Sequence, residues 1–131
     1  MISKKSKIYI AGHKGMVGFA IYNSLKKKGY KNLIVADRKS LDLRNQLNTF
    51  NFLKRNKPDV IFIASAKVGG ILENQKYGAD FISDNLLIQN NLIIGAFNLG
   101  IKNIIFLSSS CAYPKNARRP LKEKYLFGGH L

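Results

Sequence analysis

Glycines at positions 12, 15 and 18 follow directly on an apolar run, Lys7-Ile8-Tyr9-Ile10-Ala11, and lead into a stretch whose apolar residues recur at helical spacing. No other feature narrows the fold as much. A strand that turns into a helix through regularly spaced glycines makes a cradle of backbone N–H groups, and the helix behind it presents the positive end of its dipole. Gly12 permits the tight turn, Gly15 lets the backbone approach a pyrophosphate, and Gly18 lets the helix pack closely on the sheet. The spacing is GxxGxxG rather than the GxGxxG of the general dinucleotide fingerprint. A purely structural turn is the competing reading.

The rest of the chain alternates strand and helix signals. The first helix runs to about Lys28, with Val17, Ala20, Ile21 and Leu25 on one face, and ends at three lysines and Gly29. Strands are expected at Asn32 to Ala36, Val60 to Ala64 and Asn103 to Ser108, and a second helix at Asn45 to Asn56. A longer helix, about Asp80 to Leu99, carries apolar residues on more than one face and so expects burial on two sides. No element is expected from Ala112 onward. The strands are nearly continuous apolar runs, as in a parallel sheet covered on both faces. The expected fold class is α/β, a Rossmann-type parallel sheet with helices on both faces, incomplete at four strands in the order 3-2-1-4.

The end of the second strand reads Asp37-Arg38-Lys39. An acidic residue there bonds the ribose hydroxyls of NAD, whereas an arginine accommodates the 2′-phosphate of NADP. Arg38 offers a planar fork to phosphate and Lys39 a second charge, so NADP is expected over NAD, with Asp37 pulling the other way.

Length and charge set the outer bounds. The 131 residues suit one domain, and no apolar run approaches the roughly 20 residues of a membrane helix, so a cytoplasmic chain without a membrane partner is expected. A single cysteine, Cys111, excludes a disulfide scaffold. The formal charge of +15 would ordinarily suggest nucleic acid or another polyanion. The cations are scattered, however, with no run denser than Lys26-Lys27-Lys28. Lysine, isoleucine and asparagine together make up 45 of the 131 residues, which points to compositional bias. Nucleic-acid binding is therefore not the expected function.

Three segments together resemble the GDP-L-fucose synthase family of extended short-chain dehydrogenases/reductases: Gly12-His13-Lys14-Gly15-Met16-Val17-Gly18, Ala64-Ser65-Ala66-Lys67-Val68-Gly69-Gly70-Ile71 and Ser108-Ser109-Ser110-Cys111-Ala112-Tyr113-Pro114. Ala79-Asp80-Phe81-Ile82 with Asn85 adds to the likeness, which spans residues 7–131. The resemblance implies epimerisation at C3 and C5 of a GDP-4-keto-6-deoxymannose, then reduction of its C4 ketone by NADPH. It places Ser109 as donor to the keto oxygen and Cys111 as the group exchanging protons at the epimerised carbons. It places Gly12, Lys14, Gly15, Met16, Val17, Gly18, Arg38, Ala64, Ala66 and Lys67 at the cofactor. Its full-length members act on a GDP-sugar and form homodimers. No metal is implied.

The family's catalytic tyrosine and lysine, four apart on a helix after the Ser-Ser-Cys segment, have no counterpart here. Tyr22 and Lys26 have that spacing but lie in the first helix, and read as a chance match on its surface. The family histidine that follows the pair has no counterpart either. His130 precedes where the tyrosine would fall, and His13 reads as a loop residue. The chain is thus expected to be the N-terminal part of a dinucleotide-binding domain over 1–131, without a substrate domain and inactive alone. Two other readings remain: part of a different nucleotide-sugar epimerase or reductase, and a non-catalytic nucleotide-binding module.

Overall fold

Strands β1 (Ile8–Ala11) and β3 (Val60–Ile63) pair residue for residue along their whole length in the computed structural model, which describes residues 2–129. All four residues of β1 are buried, as are Val60, Ile61 and Ile63 of β3, so these two strands form the sheet's centre. On the outer side of β1 lies β2 (Leu33–Ile34), and beyond β3 lies β4 (Asn103–Phe106). All pairings are parallel. His130 lies outside the described residues.

The strand order is therefore 2-1-3-4, not the expected 3-2-1-4. Apolar content explains the difference. The central places go to the two runs that can be buried on both faces, whereas β2 contributes only Leu33 and Ile34 to the ladder and both stay half-buried. The next segment, carrying Leu41 and Leu43, packs into the core without joining the sheet. The sheet is still the expected Rossmann-like one, doubly wound about β1.

Handedness then distributes the helices. Crossovers between parallel strands are right-handed, so a step to one side of β1 and a step to the other place their helices on opposite faces. Helix α1 (Met16–Lys27) joins β1 to β2 and covers Ile8, Ile10 and Val60 with Ile21, Tyr22 and Leu25. Helix α2 (Gln46–Asn56) joins β2 to β3, and α4 (Gly78–Asn98) leads into β4. These two cover the other face, where Tyr9, Ala11, Ile61 and Ile63 meet Leu53, Leu92 and Ala96. The alternation of Ile8 and Ile10 against Tyr9 and Ala11 is the period-two signature of a strand buried on both sides. The Tyr9 ring packs on Phe52 at 4.9 Å, and burial pushes its hydroxyl pKa up.

Local signals account for the helix ends. Asn45 caps α2, its side chain accepting from Asn48 N–H at 2.9 Å. Thr49, fully buried inside α2, donates to the Asn45 carbonyl at 2.8 Å and so loses no hydrogen bond on burial. The long helical stretch begins earlier than expected, as a short helix α3 (Ile71–Lys76) that breaks at Tyr77 before α4. Nor is α4 buried on two sides. Asn91, Leu92, Gly95 and Ala96 face the core, while Ile82, Leu86, Ile93 and Phe97, spaced 4, 7 and 4 residues apart, form one exposed apolar stripe. After β4, shorter than expected, come only single turns at Ser110–Ala112 and Glu123–Tyr125.

A parallel α/β sheet also sorts charge. All helix C-termini and strand N-termini share one edge, and there the carbonyl ends of the helix dipoles favour cations. Lys26 and Lys27 close α1, Lys54 and Arg55 close α2, and Lys7 and Lys102 immediately precede β1 and β4. Much of the positive charge thus gathers opposite the edge where the strands end.

Glycine packing gives a stability test. A Cβ on Gly18 would sit 2.1 Å from the Gly12 carbonyl oxygen, whereas one on Gly78 meets nothing within 4 Å. Gly18→Ala is expected to cost on the order of 1–3 kcal/mol through overpacking. Gly78→Ala should change stability by less than about 1 kcal/mol, in the stabilising direction. Urea unfolding of the two variants against the parent checks both.

Candidate functional site

The sheet reverses direction at β1, and the loops leaving the C-terminal ends of β1 and β3 flank a crevice of about 270 Å³ there. Such a switch point is where open α/β sheets bind ligands. Gly12 turns with φ +86°, and a Cβ on it would lie 2.6 Å from the Ala64 carbonyl oxygen. Only a residue without a side chain lets the two loops come this close. Gly15 starts α1 without any side-chain cap, and its added Cβ would lie 3.3 Å from the Gly12 carbonyl oxygen. The first-turn N–H groups of α1 are therefore left for solvent or for an anion.

Charge around the crevice is paired in a definite pattern. Lys14 Nζ lies 2.8 Å from Asp37 Oδ1, and His13 Nε2 lies 3.5 Å from the same oxygen. The Lys14 ammonium, by hydrogen bond and charge, holds the Asp37 carboxyl below the usual range. Arg44 grips Asp42 through Nε and Nη2, at 3.0 and 2.6 Å, and lowers the Asp42 pKa to about 2. Its remaining nitrogen, Nη1, reaches Asp84 at 3.2 Å, and Lys67 Nζ reaches the other Asp84 oxygen at 3.0 Å. The Lys67 hydrogen bond, then Arg44, keeps the Asp84 carboxyl low as well. Arg38 lines the crevice and enters no ion pair among the described residues.

Helix α4 braces both walls from behind. The Asn85 amide accepts from Lys67 N–H at 2.7 Å and donates to the Lys67 carbonyl at 3.0 Å, tying down the loop after β3. Asn91, 3% exposed, donates to the carbonyls of Leu43 and Arg44 at 2.8 and 3.0 Å. A buried amide so satisfied holds the 42–44 segment in one place.

Of the residues singled out in the sequence, Gly12, Lys14, Gly15, Arg38, Ala64, Ala66 and Lys67 line the crevice together. Met16 and Val17 point outward, at 87% and 47% exposure, and Gly18 is a packing residue under the turn. Tyr22 packs on the strand core rather than on the helix surface where it was expected, and Lys26 lies in the last turn of α1. Ser109 and Cys111 leave β4 at the same edge of the sheet but are exposed and do not line the crevice; the Ser109 hydroxyl accepts from Cys111 N–H at 3.1 Å. Sequence reasoning missed Asp42, Arg44 and Asp84, whose only signal was charge inside otherwise apolar segments. It also missed Ser65, whose Oγ is buried without a partner among the described residues. A glycine cradle, an unpaired arginine and an orphaned hydroxyl are donors that a phosphate-bearing dinucleotide can use. No group of three or more metal-ligating side chains occurs among the described residues.

The same architecture recurs in known proteins. The solved structure of MlghC, described as a GDP-mannoheptose C4 reductase from Campylobacter jejuni with NADP bound, superposes with a TM-score of 0.92 at 44% identity, over all of this chain and 41% of that one. GDP-L-fucose synthase of Sinorhizobium fredii is 48% identical over 125 residues, 95% of this chain and 40% of the relative. GDP-L-fucose synthase 1 of Arabidopsis thaliana is 44% identical over 131 residues, 100% of this chain and 41% of the relative. The chain thus spans about 40% of the length of the curated relatives it matches. The family model described as the NAD dependent epimerase/dehydratase family matches residues 8–129, from the first residue of β1 through the turns beyond β4. With that match added to the doubly wound sheet and its glycine cradle, the chain belongs to the NAD dependent epimerase/dehydratase family.

Proposed function

We propose that residues 1–131 are the N-terminal, cofactor-binding part of an NADP-dependent GDP-L-fucose synthase working in the cytoplasm, with the sugar-holding domain outside this chain. The observation that carries the cofactor choice is the Lys14–Asp37 pair, 2.8 Å apart. A free carboxylate at this strand end would favour a ribose diol and repel a 2′-phosphate. Held by Lys14 and approached by His13, Asp37 is neutralised, and the neighbouring Arg38 is left to take a phosphate with its planar fork. NADP binding in the related heptose reductase, at 44% identity, supports the same choice.

When bound, NADPH supplies the hydride that reduces a C4 ketone. The chain's own part is to hold and to polarise. The α1 N-terminus and Gly12–Gly15 would hold phosphates, and the Ser65 hydroxyl is a donor without a partner among the described residues. The Ser109 hydroxyl would donate to the keto oxygen, where negative charge develops in both enolisation and reduction. The Cys111 thiol would carry protons to and from the epimerised carbons. A second reading, reduction of a different GDP-linked 4-keto sugar, is favoured by the TM-score of 0.92 to the heptose reductase. Turnover of one keto sugar over the other by the longer protein separates the two.

The exposed α4 stripe suits a second copy of the chain. Ile82 to Phe97 spans about 22 Å of helix at 1.5 Å per residue, and a two-fold pairing would bury it against itself.

Four outcomes test this reading. Arg38→Ala should weaken NADPH binding roughly 10- to 100-fold and leave NADH nearly unchanged, and Lys14→Ala should shift preference toward NADH, both read by calorimetry. The purified chain should not turn over the keto sugar with NADPH, because no Tyr-x-x-x-Lys follows Ser109; any NADPH-dependent product overturns this. Light scattering should find a dimer that Ile82→Lys with Phe97→Lys converts to monomer. A monomeric parent refutes the pairing.

A further inference from the structure

Asp84 occupies an unusual position among the charges of the crevice. Its carboxylate, 16% exposed, stands between Arg44 Nη1 and Lys67 Nζ, at 3.2 and 3.0 Å. Arg44 is already engaged by Asp42 with its other nitrogens, and the Lys67 ammonium also lies 5.3 Å from the centre of the Phe81 ring. Both cations are thereby drawn toward α4. Lys67 is held again through its backbone by Asn85, the next residue on the helix. Of the four Lys and Arg side chains lining the crevice, Lys14 faces Asp37, Arg44 and Lys67 face Asp84, and Arg38 has no ion pair among the described residues.

We propose that Asp84 is a positioning residue that withholds Arg44 and Lys67 from a phosphate-bearing ligand, so that anion recognition falls to Arg38 and the glycine turn. The inference rests on the cofactor reading above and deepens it. Its physical content is a matter of selectivity. Mobile cations on a crevice wall attract any polyphosphate through long-range charge, and that attraction is screened by salt. Cations locked to a carboxylate contribute little of it, and recognition then depends on the few directed donors that remain. Lys67 accordingly borders the ligand with its backbone and stem rather than with its charge.

The test is NADPH binding by the parent chain, Asp84→Asn and Asp84→Glu, measured by calorimetry at low and at high ionic strength. Asp84→Asn frees one unit of positive charge. It should bind NADPH roughly fivefold more tightly than the parent at low ionic strength, the effect of one charge about 4 Å from another in a water-like medium. The difference should vanish at high ionic strength, and Asp84→Glu should behave as the parent. A merely structural role for Asp84 predicts instead weaker binding by Asp84→Asn at every salt concentration, with the parent's salt dependence. That result, or no difference between Asp84→Asn and the parent, overturns the proposal and leaves the cofactor reading standing. Absence of NADPH binding by the folded parent overturns both. Should Asp84→Asn not fold, amine labelling of the parent read by mass spectrometry decides: saturating NADPH should shield Lys14 and leave Lys67 labelling unchanged, and shielding of Lys67 refutes the withheld-charge arrangement.

Discussion

The ladder between β1 and β3 runs past the last residues of the strands, with Ala64 N–H donating to the Ala11 carbonyl at 3.0 Å. That bond carries the glycine turn against the next loop. A Cβ on Gly12 would lie 2.6 Å from the Ala64 carbonyl oxygen and 2.7 Å from Ser65 nitrogen, so the two loops can be neighbours only because position 12 has no side chain. At that contact lie the crevice wall and the buried Ser65 Oγ. The central pairing also sends β2 and β4 to opposite edges, and right-handed crossovers then put α1 on one face and α2 with α4 on the other.

The crevice walls depend on α4 as much as on the sheet. Asp84, Asn85 and Asn91 are polar residues in a helix rich in leucine and isoleucine, and each is spent on a loop that lines the site. An unsatisfied amide at the depth of Asn91 would cost about 1–3 kcal/mol, so its two hydrogen bonds fix the loop as well as stabilise the core. The opposite side of the same helix, with Ile82, Leu86, Ile93 and Phe97 exposed, has no such partners among the described residues. One helix thus divides its surface between bracing a ligand site and presenting an apolar stripe.

The charge of +15 also finds a physical account. Parallel strands with helical crossovers align every helix dipole, and lysines at the helix ends and strand starts complement the carbonyl edge. Near the crevice the balance is different, since Asp37, Asp42 and Asp84 neutralise three of the four lining cations. The lysines at the helix ends and strand starts therefore lie at the edge away from the ligand site.

The sequence alone determined the α/β alternation and the glycine turn, because apolar periodicity and glycine spacing are local and follow from backbone sterics. Arg38 was a candidate phosphate-side cation by its charge after the second strand, and Lys14 by the family resemblance. The motifs after β3 and β4 carried the family resemblance for the same reason: each is a contiguous run. The strand order was not legible, since runs such as Leu33–Ile34 and Val60–Ile63 look alike until their burial is compared in three dimensions. Neither was the placement of Arg44, Lys67 and Asp84 in one network, because residues 40 and 17 positions apart meet only when α4 crosses behind the loops. What side chains do at this site was decided by tertiary structure, for a carboxylate's role is set by which cations the fold brings within about 4 Å of it.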